Sequence, residues 1–298
     1  MIPLISEEAH RRAVNGGGDV PEQLPAFALP LNEVGISGKT AWVLLPQGRL
    51  PFEAALAVDL SAGRRGIHMS RLEEVMTSLH DQPFADLRGY GLALGREMLA
   101  RQGAGRGTVS LSGRIPLIRD SLISRRPSLD TVTVSACVEL RRQGEGIDAF
   151  TMIGIEACHI TACPCTQVYN EQVFGPSGSD CPFPTHSQRS STRLEVEATD
   201  TAPTYEELLA CLEEALHVTQ DLLKRPDEAE IVLKSHRFPQ FAEDAVRETA
   251  RAVGRRLGPL LAPPSRVRIT SLSLESIHIH DVHCRLECAL GDILAVAP

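Results

Sequence analysis

Cysteine, proline and cysteine stand side by side at Cys163-Pro164-Cys165, within the stretch TACPCTQ at 161–167. Here the chain puts two soft metal ligands, or a nucleophile and its neighbour, together. In an extended strand, residues two apart face the same way, so both sulfurs would look into one pocket, and the proline disfavours a regular helix. A thiolate there suits a zinc-type ion or covalent attack on carbon; the plainer alternative is a pair of small buried hydrophobes. The other chemistry-bearing residues lie downstream: His186, Glu228, Glu243 and the segment ESIHIHDVH at 275–283. In that segment Glu275, His278, His280 and, as the weakest candidate, His283 put a carboxylate and imidazoles at one bend. Such a set suits proton transfer, or simply a hydrogen-bonded strand end. Upstream, His68 sits just ahead of a helix cap, where a side chain can reach a ligand or be satisfied within its own loop.

Composition narrows the classes that could use these residues. A chain of 298 residues, 43% hydrophobic and 23% charged, can build one large or two medium cores. No apolar run approaches the ~20 residues of a membrane helix, and the opening MIPLISEEAHRR is too acidic for a signal peptide, so a cytoplasmic location is expected. The eight cysteines crowd toward the second half instead of forming a spaced framework, which favours reduced thiols, some of them ligands. A formal net charge of −8 argues against a general nucleic-acid binder, but leaves room for one anionic substrate held by a local basic cluster.

The elements that must position the site follow from periodicity. Residues 1–27, with Gly16-Gly17-Gly18, Pro21 and Pro25, read as a flexible leader. Segments 39–45 and 52–60 read as a hairpin joined by PQGRLP. Ser70 and Glu73 fit a capping box for a helix over 71–80, and a second helix covers 86–101. Strands at 108–118 and 131–142 end at the turn QGEG. The pattern then begins again: a strand-like stretch over 147–167, a strand at 189–198, a helix opened by the Thr204/Glu207 box, a helix over 238–257, and closing strands at 266–274 and 282–290. The chain therefore reads as α+β, two tandem ββααββ modules (28–145 and 146–298), each an antiparallel sheet with helices on one face. Open edges of two such sheets would be paired by copies of the chain, closing an oligomeric barrel.

Six motifs in this order, GIHMSRL at 66–72, ACPCTQ at 162–167, HSQRS at 186–190, LKRPDE at 223–228, FAEDAVR at 241–247 and LESIHIHD at 274–281, resemble the type IB GTP cyclohydrolase I family, which is built on the tunnelling fold. The resemblance runs from about Leu31 to the end. It implies hydrolysis of GTP at guanine C8, giving formate and 7,8-dihydroneopterin triphosphate, a precursor of folates and related pterins. It also implies a divalent metal, zinc, manganese or ferrous iron, held by Cys163, His186 and Glu228 with a position left open. Cys165 would act catalytically beside Cys163, and Glu275, His278 and His280 would move protons. Glu243 would accept the N1–H and 2-amino donors of guanine. His68 and Arg71 would bind substrate, in a site shared between subunits of a homo-oligomer, a tetramer being favoured. For the triphosphate the nearest basic residues are Arg64, Arg65, Arg71, Arg189, Lys224 and Arg225; no G-x-x-x-x-G-K-[ST] loop occurs.

The sequence departs from the family at the stretch between Cys165 and His186, which is 20 residues long and carries Gly175, Pro176, Gly178, Cys181, Pro182 and Pro184. A loop of that length could displace His186. Two further readings stay open: another tunnelling-fold enzyme on a purine or pterin, including one that opens GTP but closes a cyclic phosphate, and a non-enzymatic zinc-stabilised oligomer. Neither a membrane nor a nucleic acid is an expected partner.

Overall fold

Alternating polarity produces strands that run well past their sequence signals. The structure is a computed structural model that describes residues 4–177, 181–221 and 223–296. The segment expected as a flexible leader carries α1 (Glu7–Gly16), capped by Ser6, and a single 3-10 turn at Val20–Glu22. Strands β1 (Leu31–Leu45) and β2 (Gly48–Leu60) form the first hairpin. Helices α2 (Met69–Ser78) and α3 (Leu87–Gln102) follow, then β3 (Arg106–Asp120), β4 (Pro127–Gln143) and β5 (Gly146–Ala162). The second half adds α4 (Pro164–Phe174), β6 (Ser187–Ala198), α5 (Tyr205–Ala215) and the short β7 (His217–Val218). It closes with α6 (Arg225–Arg237), α7 (Ala242–Leu257), β8 (Arg266–Ser273), β9 (Val282–Ala289) and α8 (Leu290–Val296).

Among the described residues nine strands make one antiparallel sheet in the order β1-β2-β3-β4-β5-β6-β8-β9, with β7 paired beside the end of β5. This corrects the expectation of two tandem ββααββ modules of a tunnelling fold, each with its own sheet. The ladder does not stop at residue 145. A two-residue turn at Gly144-Glu145, with Gly144 at φ +58°, returns the chain so that Gln143 pairs with Gly146 and the register holds to Thr133 opposite Glu156. A tight turn keeps its strands in register, and pairing there satisfies backbone groups that would otherwise form an open edge.

Helices pack against the sheet over one continuous core that includes Phe52, Leu56, Leu94, Met98, Leu111, Ile153, Leu194, Leu212 and Val253. Two glycines let α3 approach β4: a Cβ on Gly95 would meet Leu140 Cδ1 at 2.4 Å, and one on Gly91 would meet Val138 Cγ2 at 3.0 Å. Burying Arg88 is possible because its guanidinium donates to Thr199 O (3.0 Å) and Pro203 O (3.3 Å) and pairs with Asp86 at 2.8 Å. The Thr204/Glu207 capping box forms as expected. The one expected at Ser70 does not, because α2 starts earlier, with His68 at the N-cap. Among the described residues, no helix is long and apolar enough to cross a membrane.

Along the packed face of β5, β6 and β8 the side chains change character. At one end they are Ile153, Ile155, Leu194, Val196, Val267 and Ile269; toward the other they become His159, Thr161, Ser190, Thr192, Ser271 and Ser273, all buried. Thr192 donates to Ser271 Oγ (3.0 Å), so its single proton is used, and the 2.8 Å contact from His159 Nε2 must be donated by the ring. His159 is thus the neutral Nε2–H tautomer, and its Nδ1 finds no partner among the described residues.

Burial pushes the pKa of His159 down from 6.5 to about 4 and lowers that of His217 as well. The unfolded chain therefore takes up a proton near pH 6.5 that the folded chain refuses until near pH 4. Stability carried by neutral His159 is full above that window and is lost as pH falls through it, by up to about 3 kcal/mol. Urea unfolding at pH 7, 5.5 and 4.5 should show this loss, and His159→Gln should flatten it. An identical pH dependence in the variant would mean that His159 titrates as if exposed.

Candidate active site

β5 ends at Ala162, and the next residues turn into a helix. Cys163 is the N-cap of α4, Pro164 takes its first position and Cys165 lies in the first turn. The expected extended strand through 167 is therefore corrected. A proline is well placed at the start of a helix, where its missing N–H would have had no intrahelical partner. Part of the 20-residue stretch between Cys165 and His186 is α4 itself, whose Gln167 donates to Phe183 O (2.9 Å) and His236 O (2.7 Å). The returning chain stays close: Cys163 N donates to His186 O (3.1 Å) and the Thr185 hydroxyl to Cys163 O (2.6 Å). The stretch does not displace His186 from Cys163. No cysteine is disulfide-bonded among the described residues. Cys163 is half-buried and Cys165 exposed, and the charge of Cys163 pushes the Cys165 thiol above its ordinary value.

A short relay joins His186 to the bend after β8. The carboxylate of Glu275 can only accept, so the Gln188 Nε2 contact at 3.2 Å is a donation to Glu275 Oε1. The same amide then presents its oxygen to His186 Nδ1 at 3.2 Å. His186 carries its proton on Nδ1, and the Nε2 lone pair is left for a ligand. Ser273 Oγ also donates to Glu275 Oε1 (3.0 Å), and Glu275 N donates to Asp281 Oδ1 (3.3 Å). The His278 ring lies 6.2 Å from that of His186, edge-on, and stacks on His280 at 5.2 Å. Thus Cys163, Cys165, His186, Glu275, His278 and His280 gather at one end of β5, β6 and β8. A cavity of about 530 Å³, lined by Cys158, Ser187, Gln188, Arg189 and Asp221 among others, shares Gln188 with the relay but is lined by none of these six residues.

The remaining expected residues are placed differently. Glu228 is exposed on the first turn of α6. The neighbouring Asp227 does the structural work there: its buried carboxylate accepts from the Ser124 hydroxyl (2.6 Å) and from the backbone N–H groups of Ile123, Ser124 and Lys224. Those bonds, the Ser124 hydroxyl first, hold its pKa well below the usual carboxylate range. Glu243 is exposed on the first turn of α7, and the chain just before it reaches the same strand end, since Gln240 O accepts from Ala162 N at 3.2 Å.

His68 and Arg71 lie at the opposite end of the sheet. Val58 pairs with Gly107, Gly107 with Leu140 and Leu140 with Ala149, so the end of β2 that leads to His68 sits beside the start of β5. Cys163 follows the end of the same strand, and the 17 residues of β5 span roughly 50 Å. His68 Nε2 is 2.8 Å from Glu22 and 3.7 Å from Asp19, and Arg64 pairs with Glu22 at 2.8 Å. Arg71 donates to Arg101 O at 3.0 Å. Among the described residues, Asp19, Glu22 and His68 are the one group of three with ligand atoms within 4.8 Å of one another. Arg64 already supplies that cluster with a cation. Cys163, His186 and Glu228 are not gathered to that distance.

Sequence reasoning missed Gln188 as the link between His186 and Glu275, the hydroxyls of Thr161, Ser190 and Ser273 beneath it, and the leader acids on His68. A signal existed for the hydroxyls: polar residues at period two continue stretches that are apolar at the same period.

A family model described as type I GTP cyclohydrolase folE2 matches residues 18–284. The GTP cyclohydrolase MptA of Methanothermobacter thermautotrophicus is 28% identical over 305 residues, covering 92% of this chain and 94% of its own length. The GTP cyclohydrolase MptA of Aeropyrum pernix is 29% identical over 291 residues, covering 94% and 98%. Among solved structures, a uricase from Bacillus fastidious superposes with a TM-score of 0.50 at 10% identity, covering 90% of this chain and 95% of that one. A uricase from Arthrobacter globiformis gives 0.50 at 10% identity, covering 87% and 93%. At that identity the likeness is one of fold alone, and it agrees with a single sheet rather than tandem modules.

The closeness of the two thiols is measurable. In metal-free protein, Cys163→Ser removes the charge that raises Cys165, so at pH 8 iodoacetamide should alkylate Cys165 faster than in the unaltered chain, as read by peptide mass spectrometry. An unchanged rate would show that the sulfurs do not sense each other.

Proposed function

The chain belongs to the type I GTP cyclohydrolase folE2 family, and we propose that it is a metal-dependent enzyme of the type IB class that hydrolyses GTP at guanine C8 to formate and 7,8-dihydroneopterin triphosphate. The observation that carries this reading is the convergence of two thiols, three imidazoles and a carboxylate at one strand end, joined by the Glu275–Gln188–His186 relay.

Thiol and imidazole donors suit zinc, manganese or ferrous iron. Cys163 and His186, joined through the backbone and with Nε2 of His186 free, would hold such an ion; Glu228 is the third ligand of the proposed set and reaches solvent from α6. The ion would supply Lewis-acid activation for the attack of water on C8. Glu275 fixes the orientation of His186 through Gln188. The Cys165 thiol donates to the ring nitrogen that leaves C8, and His278 and His280 carry protons during ring opening and formate release. Glu243 accepts the N1–H and 2-amino protons of guanine.

The distance along β5 supports a shared site. His68 and Arg71 can serve Cys163 only from another copy, so the proposal includes a homo-oligomer, a tetramer being favoured, with substrate between subunits.

Metal-reconstituted protein incubated with GTP should release formate and, after oxidation, a fluorescent pterin. Silence with zinc, manganese and ferrous iron alike would overturn the reading, and mass analysis of the product separates an open triphosphate from a cyclic phosphate. Glu243→Gln should keep its metal but bind GTP about tenfold or more weakly, because an amide accepts one guanine donor and opposes the other. Calorimetry measures this, and unchanged affinity would remove Glu243 from the guanine. Reassembling inactive Cys163→Ala chains with inactive His68→Ala chains should restore part of the activity. A fully active monomer would defeat the shared site.

A further inference from the structure

Beneath Glu275 lies a buried polar cluster that the chemistry proposed above does not use. Thr161, Ser190 and Ser273 come from three neighbouring strands, and each is at most 1% exposed. The Thr161 hydroxyl is 2.7 Å from Ser190 Oγ and 3.2 Å from Ser273 Oγ, and Ser273 is 3.0 Å from Glu275 Oε1. Each hydroxyl has one proton to give. Ser273 gives its proton to the carboxylate, so it accepts from Thr161; Thr161 has then spent its own and accepts from Ser190. The bonds all run one way, Ser190 to Thr161 to Ser273 to Glu275.

The packed face of these strands would be served by apolar residues, as it is at Ile153, Ile155, Leu194, Val196, Val267 and Ile269. A valine could occupy position 161 with nearly the same volume as threonine. Hydroxyls replace apolar groups where the strands approach Glu275, and a buried hydroxyl is tolerated only with its bonds made. Ser273 and Gln188 both donate to Oε1 and hold the carboxylate by that oxygen, while Oε2 has no hydrogen-bond partner among the described residues.

We infer that Thr161, Ser190 and Ser273 are positioning residues for the enzyme's chemistry: a directed hydroxyl chain from the core fixes Glu275 by one oxygen and leaves the other for the reacting substrate. The inference rests on the reading of Glu275 as a proton-transfer group in GTP ring opening. Thr192, on the same face one rung deeper, bonds to Ser271 and His159 and does not reach Glu275, so it reports what buried polarity alone contributes.

The test compares Thr161→Val, Thr161→Ser and Thr192→Val. Thr161→Val keeps the volume and loses the hydroxyl; Thr161→Ser keeps the hydroxyl and loses the methyl. The chain predicts that Thr161→Val lowers kcat for formate release about tenfold or more, with KM for GTP within about twofold, and that Thr161→Ser and Thr192→Val stay near the unaltered enzyme. A role in packing alone predicts the reverse order at position 161, and that order, or equal losses in Thr161→Val and Thr192→Val, would overturn the proposal. Crystal structures of the same variants give a readout independent of turnover. The Glu275 carboxylate should leave its contact with Ser273 or split between rotamers in Thr161→Val alone. If the unaltered protein releases no formate yet Glu275 is released in that variant, the catalytic reading fails and the positioning stands. An unmoved Glu275 in Thr161→Val overturns the positioning whatever the activity.

Discussion

One unbroken ladder of backbone hydrogen bonds, from β1 to β9, is the constraint on which the other features depend. An antiparallel sheet fixes every neighbour's register, so the tight turn at Gly144-Glu145 determines which residues of the two halves stand opposite one another. It sends the alternate residues of β5, β6 and β8 to one packed face, and it brings Ala162, Ser187 and Ser273 to a common end. The helices then have one face to cover, and α3 can lie close only because Gly91 and Gly95 carry no side chain. A slip of one residue in β6 would turn Ser190 and Thr192 outward and bring charged neighbours into the core.

The candidate site is accordingly made of strand ends and the turns that follow them. Cys163 is held by a helix cap on one side and by the backbone of His186 on the other. The order within the site decreases outward: hydroxyls in the core, then the amide of Gln188 and the carboxylate of Glu275, then the exposed rings of His278 and His280. The length of β5 keeps His68 and Arg71 at one end of the sheet and Cys163 at the other within one copy.

Much of the fold was legible in the sequence, in particular places and for particular reasons. The alternation in TVTVSACVEL fixed β4, and Thr204 with Glu207 located α5. The doubling of the pattern was also visible, but from it two sheets were expected, since periodicity reports which face a residue takes and not whether a ladder continues through a turn. Pro164 starts a helix although its neighbours suggest a strand, because proline opposes a helix interior yet fits a helix start, and the sequence around it carries little to distinguish the two. The chemistry of Cys163, His186 and Glu275 was legible as residue types; their supports were not, since Gln188 and Ser273 become meaningful only when β6 and β8 lie side by side. Glu228 stood out by its motif, yet Asp227 beside it is the residue that fastens α6.

Arg88 ties the first half to the second through carbonyls 111 and 115 positions further along the chain. While the chain emerges from a ribosome, α3 is complete long before those acceptors exist. Its guanidinium must therefore stay hydrated, and α3 cannot settle fully onto the sheet, until the turn after β6 has arrived. Final consolidation of the core is thereby deferred to a late stage of synthesis, which gives the two halves a common folding event in place of sequential ones.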